Sequence, residues 1–289
     1  MNSALNTFLY TFFALVAFAA NSVLCRLALG GHTIDAASFT VIRLISGAIT
    51  LVLILRMRTA VNKPTATVNW IATSMLFLYA ITFSFAYITL NTATGALILF
   101  GAVQMTMILI TLKSGQRLHA AEWLGVFIAF AGFVYLVLPN VNTPSMTGFM
   151  LMTVAGIAWG IYTLMGRSST DPLADTAYNF SRTIPLVAVL ALVAIPYVDL
   201  SVKGIVLATL SGAVASGIGY TIWYTALGGL SAVQATVVQL LVPLIAAAGG
   251  VAFISEAVTL RLVVSAIMIL GGILIVVLGK YHLAKTNHV

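Results

Sequence analysis

Apolar residues fill this chain in long runs, and short polar breaks separate them. A helix needs about 20 mostly apolar residues to cross about 30 Å of hydrocarbon. That measure predicts ten spanning helices, at residues 7–28, 35–56, 68–88, 91–112, 119–138, 147–167, 174–196, 202–223, 230–251 and 259–279. The first break is Gly30-Gly31-His32, and the second runs from Arg56 to Ala66, where Pro64 discourages helix. Residues 68 to 112 carry no charge, yet at 1.5 Å per residue they are too long for one helix. The polar stretch Thr89 to Thr92 is the natural turn between two. Short loops make sequential helices antiparallel neighbours and leave no room for a soluble domain.

Composition strengthens this picture. Hydrophobic residues make up 61% of the 289 positions, charged residues only 7%, and the mean hydropathy is +1.12. So few charges do not coat a soluble fold, which argues against a soluble enzyme, a disordered chain or a nucleic-acid binder. The expected solvent is the bilayer. The 13 Lys and Arg outnumber the 6 Asp and Glu, but they are scattered between apolar runs with no basic stripe. They sort by side instead. With the amino terminus inside, Arg56, Arg58, Lys63, Lys113, Arg117, Arg167, Lys280 and Lys285 are cytoplasmic, against Arg26, Lys203 and Arg261 outside. Both termini are therefore expected in the cytoplasm. The first 20 residues lack Lys, Arg and a polar cleavage region, so the first run reads as a span rather than a signal peptide. The single cysteine, Cys25, excludes an internal disulfide and a thiolate cluster.

The chain also repeats itself. Phe18 to Arg26 overlays Trp159 to Arg167, Arg43 overlays Arg182, Phe85 overlays Tyr224, and Ala131 to Leu138 overlays Gly271 to Leu278. The offset stays between 139 and 141 residues. Two halves follow, residues 1–140 and 146–280, with a cytoplasmic tail at 281–289. Each half holds five spans, an odd number, so the second enters the membrane from the opposite side. The expected fold is an all-α integral membrane protein: ten transmembrane helices as two five-helix inverted-topology repeats around a central cavity. Secondary transporters commonly have this plan, with a midplane site between the halves. A channel, a membrane-embedded enzyme and a scaffold are weaker alternatives.

Trp159-Gly160 leading to Arg167, and the stretch Tyr224 to Val277, resemble the drug/metabolite transporter superfamily, in its EamA-type ten-span branch. Tyr224, Ser231-Ala232, Pro243 and Glu256 match that branch's pattern. Ser255 stands where its members usually have Gly, Gln104 replaces the Pro in the first half, and Gly115-Gln116 falls at the Gly-Glu position. The pattern is similar to bacterial exporters of aromatic and other neutral amino acids. The resemblance implies alternating-access export of such molecules, or of another small metabolite or drug. It implies a small-molecule substrate and a lipid bilayer as partners, with no nucleic acid and no protein partner.

Polar groups inside spans are expensive in lipid and mark candidate sites. Arg43 and Arg182 lie about eight residues into their spans, toward opposite faces. They fit either gating and recruitment of a carboxylate or a structural role, bonding backbone carbonyls or reaching the headgroups. The cavity candidates are Asn21, Tyr79, Phe83, Gln104, Tyr162, Tyr178, Asn179, Tyr220 and Gln239. Amides offer a donor and an acceptor, and tyrosines add a flat ring with a hydroxyl. Each also has an ordinary reading as an interhelical hydrogen bond or helix packing. Tyr87, Trp223 and Tyr224 sit near span ends, where an interfacial aromatic belt is the expectation. Asp35, Glu122, Asp171, Asp175, Asp199 and Glu256 lie at loops or span ends, as do the four histidines. No coupling-ion site is visible among them, which fits a uniporter or an exporter driven by the substrate gradient best and leaves a proton-coupled antiporter open; no metal, cofactor or catalytic group is expected.

Overall fold

The computed structural model describes residues 3–58, 69–113, 120–138, 144–166, 169–230 and 232–286. Lys63, Pro64, Gly115-Gln116, Arg117, Arg167 and Ser231 fall outside these residues. The elements among the described residues are all helices. In order the chain forms α1 Ser3–Leu29, α2 Ala36–Met57, α3 Trp70–Ala86, α4 Thr92–Lys113, α5 Ala120–Val137 and α6 Met146–Gly166. There follow α7 Pro172–Arg182, α8 Ile184–Ala194, α9 Val202–Leu210, a π-helical turn at Ser211–Ile218, and α10 Gly219–Leu227. Last come α11 Ala232–Gln239, α12 Val242–Ile254 and α13 Leu260–Thr286.

Eight helical stretches among the described residues are long and apolar enough to cross a membrane, and Trp70–Ala86 and Glu122–Leu136 are shorter apolar helices. The ten expected spans all fall on these elements. The eighth runs to Leu227, four residues past its expected end, and the final helix continues into the expected tail as far as Thr286.

Local chemistry explains the ends. Asp35, Asn69 and Ser201 precede α2, α3 and α9, and each accepts a backbone N–H of the first turn. Asp171 does the same for α7, with Pro172 in the first helical turn. Two spans are broken inside. Thr183 and Pro185 separate α7 from α8, and Leu240-Leu241 with Pro243 separate α11 from α12, because proline cannot donate to the preceding turn.

Helix pairings come in twos. α3 packs on α6, and α10 packs on α1; α4 packs on α6, and α12 packs on α1. α5 packs along α13, and α2 packs on both α7 and the π-helical turn. The turn comes very close to α2: a Cβ on Gly212 would collide with the Arg43 carbonyl and Ser46 Oγ. Phe8, Phe127, Leu192, Phe253 and Ile267 are exposed on the outside of the bundle, an apolar exterior suited to lipid.

Candidate functional site

A cavity of about 900 Å³ runs down the middle of the bundle. Its lining includes Asn69 before α3, Gly166 at the end of α6, Pro172 at the start of α7 and Leu227 at the end of α10. These mark the end of the bundle where α1 begins. In the other direction the lining reaches Ser22 and Phe83. Beyond them the bundle is closed.

Two sets of contacts hold it closed. Ser255 ends α12 in a left-handed conformation, φ 57°, and turns the chain so that Glu256 lies back over Gly250. The Glu256 carboxylate accepts the Thr92 N–H at the start of α4 (2.8 and 3.0 Å to its two oxygens), and Arg26 Nε at 3.3 Å. The positive end of the α4 dipole adds to this attraction. Arg26 Nη1 donates to the carbonyls of Tyr87 and Ile88, each at 3.1 Å. Separately, Ser201 donates to the Thr33 carbonyl, while Asp35 and Asp199 exchange hydrogen bonds.

Eight of the nine cavity candidates line this space: Asn21, Tyr79, Phe83, Gln104, Tyr162, Asn179, Tyr220 and Gln239. Tyr178 does not; its ring lies beneath the Arg182 guanidinium, 5.6 Å away. The two arginines are therefore placed differently. Arg182 is half-buried beside Tyr178, whereas Arg43 is 1% exposed and reaches Tyr79 Oη at 2.8 Å. Arg43 sits behind the cavity wall, not on it.

The wall is a group of stacked rings. Trp159 lies 4.7 Å from Tyr79, 5.3 Å from Tyr162 and 5.3 Å from Tyr220, centroid to centroid. Phe18 closes against Tyr220 and Trp223 at 5.8 and 5.7 Å. Each such pair adds roughly 0.5–1.5 kcal/mol beyond area burial and holds the rings in place. Trp159 and Phe18 were not among the candidates, although they lead the two matching repeat stretches; that shared position was the available signal.

The belt expectation fails for three residues. Tyr87 and Trp223 are 0% and 7% exposed, and Tyr224 lines the cavity with its hydroxyl 2.7 Å from Thr176 Oγ1. Tyr87 donates to the Thr92 carbonyl beneath α4. The physical reason is that α10 runs past its expected end, and that the Tyr87 ring folds under the start of α4 against Gly95, so these side chains face protein. Tyr220 for the same reason sits about two turns from its helix end.

Polar groups complete the lining. Asn21 Nδ2 donates to Tyr79 Oη at 3.4 Å, and Asn21 Oδ1 accepts from Ser211 at 2.5 Å. Asn179 Oδ1 accepts from Thr73 at 3.4 Å. The Gln104 Nε2 amide is buried with no hydrogen-bond partner among the described residues. Asp171 and Asp175 line the mouth, where Asp171 pairs with Arg58 at 2.9 Å and Asp175 accepts from Ser169. The arrangement can hold a molecule that has a flat or apolar body and a few polar groups.

A family model described as the EamA-like transporter family matches residues 146–278. The chain is 45% identical over 270 residues to an uncharacterized protein of Pseudomonas aeruginosa, covering 93% of this chain and 94% of that one. It is 25% identical over 230 residues to an Escherichia coli protein named a probable amino-acid metabolite efflux pump, covering 71% of this chain and 77% of that one. Its fold resembles that of a solved crystal structure with a TM-score of 0.62 at 17% identity, over 92% of this chain and 96% of the other.

Proposed function

We propose a cargo and a working cycle from one premise: the chain belongs to the EamA-like transporter family. It is a multi-pass membrane transporter. The cargo we propose is an amino acid, aromatic or otherwise neutral, carried outward by alternating access. The observation that carries this reading is the cavity walled by Tyr79, Trp159, Tyr162 and Tyr220, with Asn21, Gln104 and Gln239 between the rings. The name of the Escherichia coli relative points to the same class of cargo.

The cycle rests on two inverted five-helix repeats, ten spans in all. The twinned pairings support this: α3 on α6 with α10 on α1, and α4 on α6 with α12 on α1. A two-fold axis between halves produces such twins, and exchanging them moves the opening from one end to the other. The open mouth is placed in the cytoplasm with both termini, because Arg56, Arg58 and Lys113 lie at that end. Cargo then loads from inside and leaves once the Arg26–Glu256 end opens.

The test is purified protein in liposomes, scored for flux of labelled amino acids with and without a pH gradient. Flux of aromatic and neutral amino acids is expected. Trp159→Ala, which removes the ring packed against Tyr79, Tyr162 and Tyr220, is expected to cut that flux at least tenfold at unchanged protein yield. Rates equal to empty vesicles across the panel overturn the amino-acid cargo. A second reading, export of a larger planar metabolite or drug, draws on the cavity volume of about 900 Å³, near the upper end of ordinary small-molecule sites.

A further inference from the structure

Arg43 is one of two charged residues, with Glu122, that are 1% exposed among the described residues. Its side chain is 1% exposed, and no carboxylate pairs with it among the described residues. Among the described residues its Nε and Nη1 have no hydrogen-bond partner, and the guanidinium carbon lies 5.1 and 4.8 Å from the Tyr79 and Phe83 ring centroids. Ring faces offset part of the cost of desolvating a cation, but they supply no counter-charge. A guanidinium does not escape by losing its proton. The fold therefore keeps a full positive charge, uncompensated, directly behind the inner end of the cavity.

Hydrogen-bond accounting shows where that charge is felt. A phenol has one hydrogen to donate and two lone pairs to accept with. Tyr79 Oη accepts from Arg43 Nη2 at 2.8 Å and from Asn21 Nδ2 at 3.4 Å. Both lone pairs are used, so its own O–H is left to donate. Asn21 spends Oδ1 on Ser211 and one N–H on Tyr79, which leaves its second N–H. Tyr79 and Asn21 both line the cavity. Its inner end thus presents donors, O–H and N–H, polarised by a cation one bond behind. The carboxylates that line the cavity, Asp171 and Asp175, are at the mouth.

We propose that this inner end is a carboxylate subsite: Tyr79 O–H and Asn21 N–H bind the carboxylate of the cargo, and Arg43 supplies the charge through Tyr79. The proposal rests on the transporter reading of the cavity and adds what the aromatic wall leaves open, the demand for an acid. Arg43 is a positioning residue that does not touch the cargo. Charge-assisted donors of this kind discriminate strongly, because a ligand without the acid leaves them buried and unpaired.

Two probes test it. In proteoliposomes, L-tryptophan and tryptamine share the indole and the ammonium and differ by the carboxylate. Tryptophan is expected to move at least tenfold faster than tryptamine, with Tyr79→Phe and Asn21→Val collapsing that ratio. Tyr79→Phe keeps the ring on which Arg43 stacks, so its elution as a monodisperse peak separates lost recognition from lost folding. In detergent, benzoate is expected to raise the melting temperature where benzylamine does not, and Tyr79→Phe to abolish the shift. Should no amino acid move while benzoate still gives a Tyr79-dependent shift, the subsite stands and the amino-acid cargo falls. Equal transport of acid and amine, or a Tyr79→Phe variant that slows both alike, overturns the subsite and leaves the cargo class intact. No flux together with no benzoate shift overturns both.

Discussion

Ser255 shows how one residue can set the shape of an end of the molecule. Its left-handed backbone lets its own N–H and that of Glu256 both reach the Gly250 carbonyl, which terminates α12. Left-handed geometry costs an L-residue roughly 1–2 kcal/mol, and glycine pays none of it. Glycine loses about 0.5–1 kcal/mol more backbone entropy on ordering, so the net gain from Ser255→Gly is a fraction of that cost. The side chain is exposed, so nothing else is lost. Ser255→Gly is expected to leave the melting temperature in detergent equal or higher, and Ser255→Val to lower it. A lower value for the glycine variant would show that the turn is set by the serine hydroxyl instead. The usual Gly of the resembling family at this position has the same physical cause.

Among the elements, the corner between α12 and α13 acts as a latch on α1 and α4. Glu256 holds the start of α4 through two bonds to one N–H and holds α1 through Arg26, which in turn ties the carbonyls after α3. Removing one partner leaves the other charge partly buried and unpaired, which is costly. Glu256→Gln is therefore expected to loosen this end. The measurement is labelling of Ser22→Cys, in a Cys25→Ala background, by an impermeant maleimide applied to the face opposite the amino terminus. Ser22 lies at the deep limit of the cavity and is 1% exposed. A labelling rate several-fold higher than in the Glu256 parent is the expected outcome. An unchanged rate refutes the latch.

At the scale of the whole molecule, one end is open and the other closed, and charge distinguishes them. Arg56 and Lys203 are both exposed and lie at opposite ends of the bundle, Arg56 at the mouth. In intact cells, an impermeant maleimide is expected to label Lys203→Cys and spare Arg56→Cys. The reverse pattern overturns the proposed orientation and, with it, loading from the cytoplasm.

Long apolar runs and their polar breaks were enough to place the spans to within about four residues, apart from the last, which runs on to Thr286, because in lipid the backbone must bond to itself and only length and polarity matter. The aromatic and amide make-up of the central spans was legible for the same reason: polar atoms in hydrocarbon stand out. Which face of each helix turns inward was not legible. Lipid tails and protein interior are equally apolar, so hydrophobic periodicity carries no signal for the inside of the bundle. That is why Trp159 was missed, why Tyr178 was expected in the cavity but lies under Arg182, and why Tyr87, Trp223 and Tyr224 were read as a surface belt. Repeat symmetry made Arg43 and Arg182 equivalent along the chain. Packing made them different, because Gly212 draws the π-helical turn against α2 beside Arg43 while Arg182 ends its helix at a break. The end that is closed was likewise a matter of tertiary contact: Arg26, Thr92 and Glu256 are far apart in sequence and meet through the packing of α1, α4 and α12.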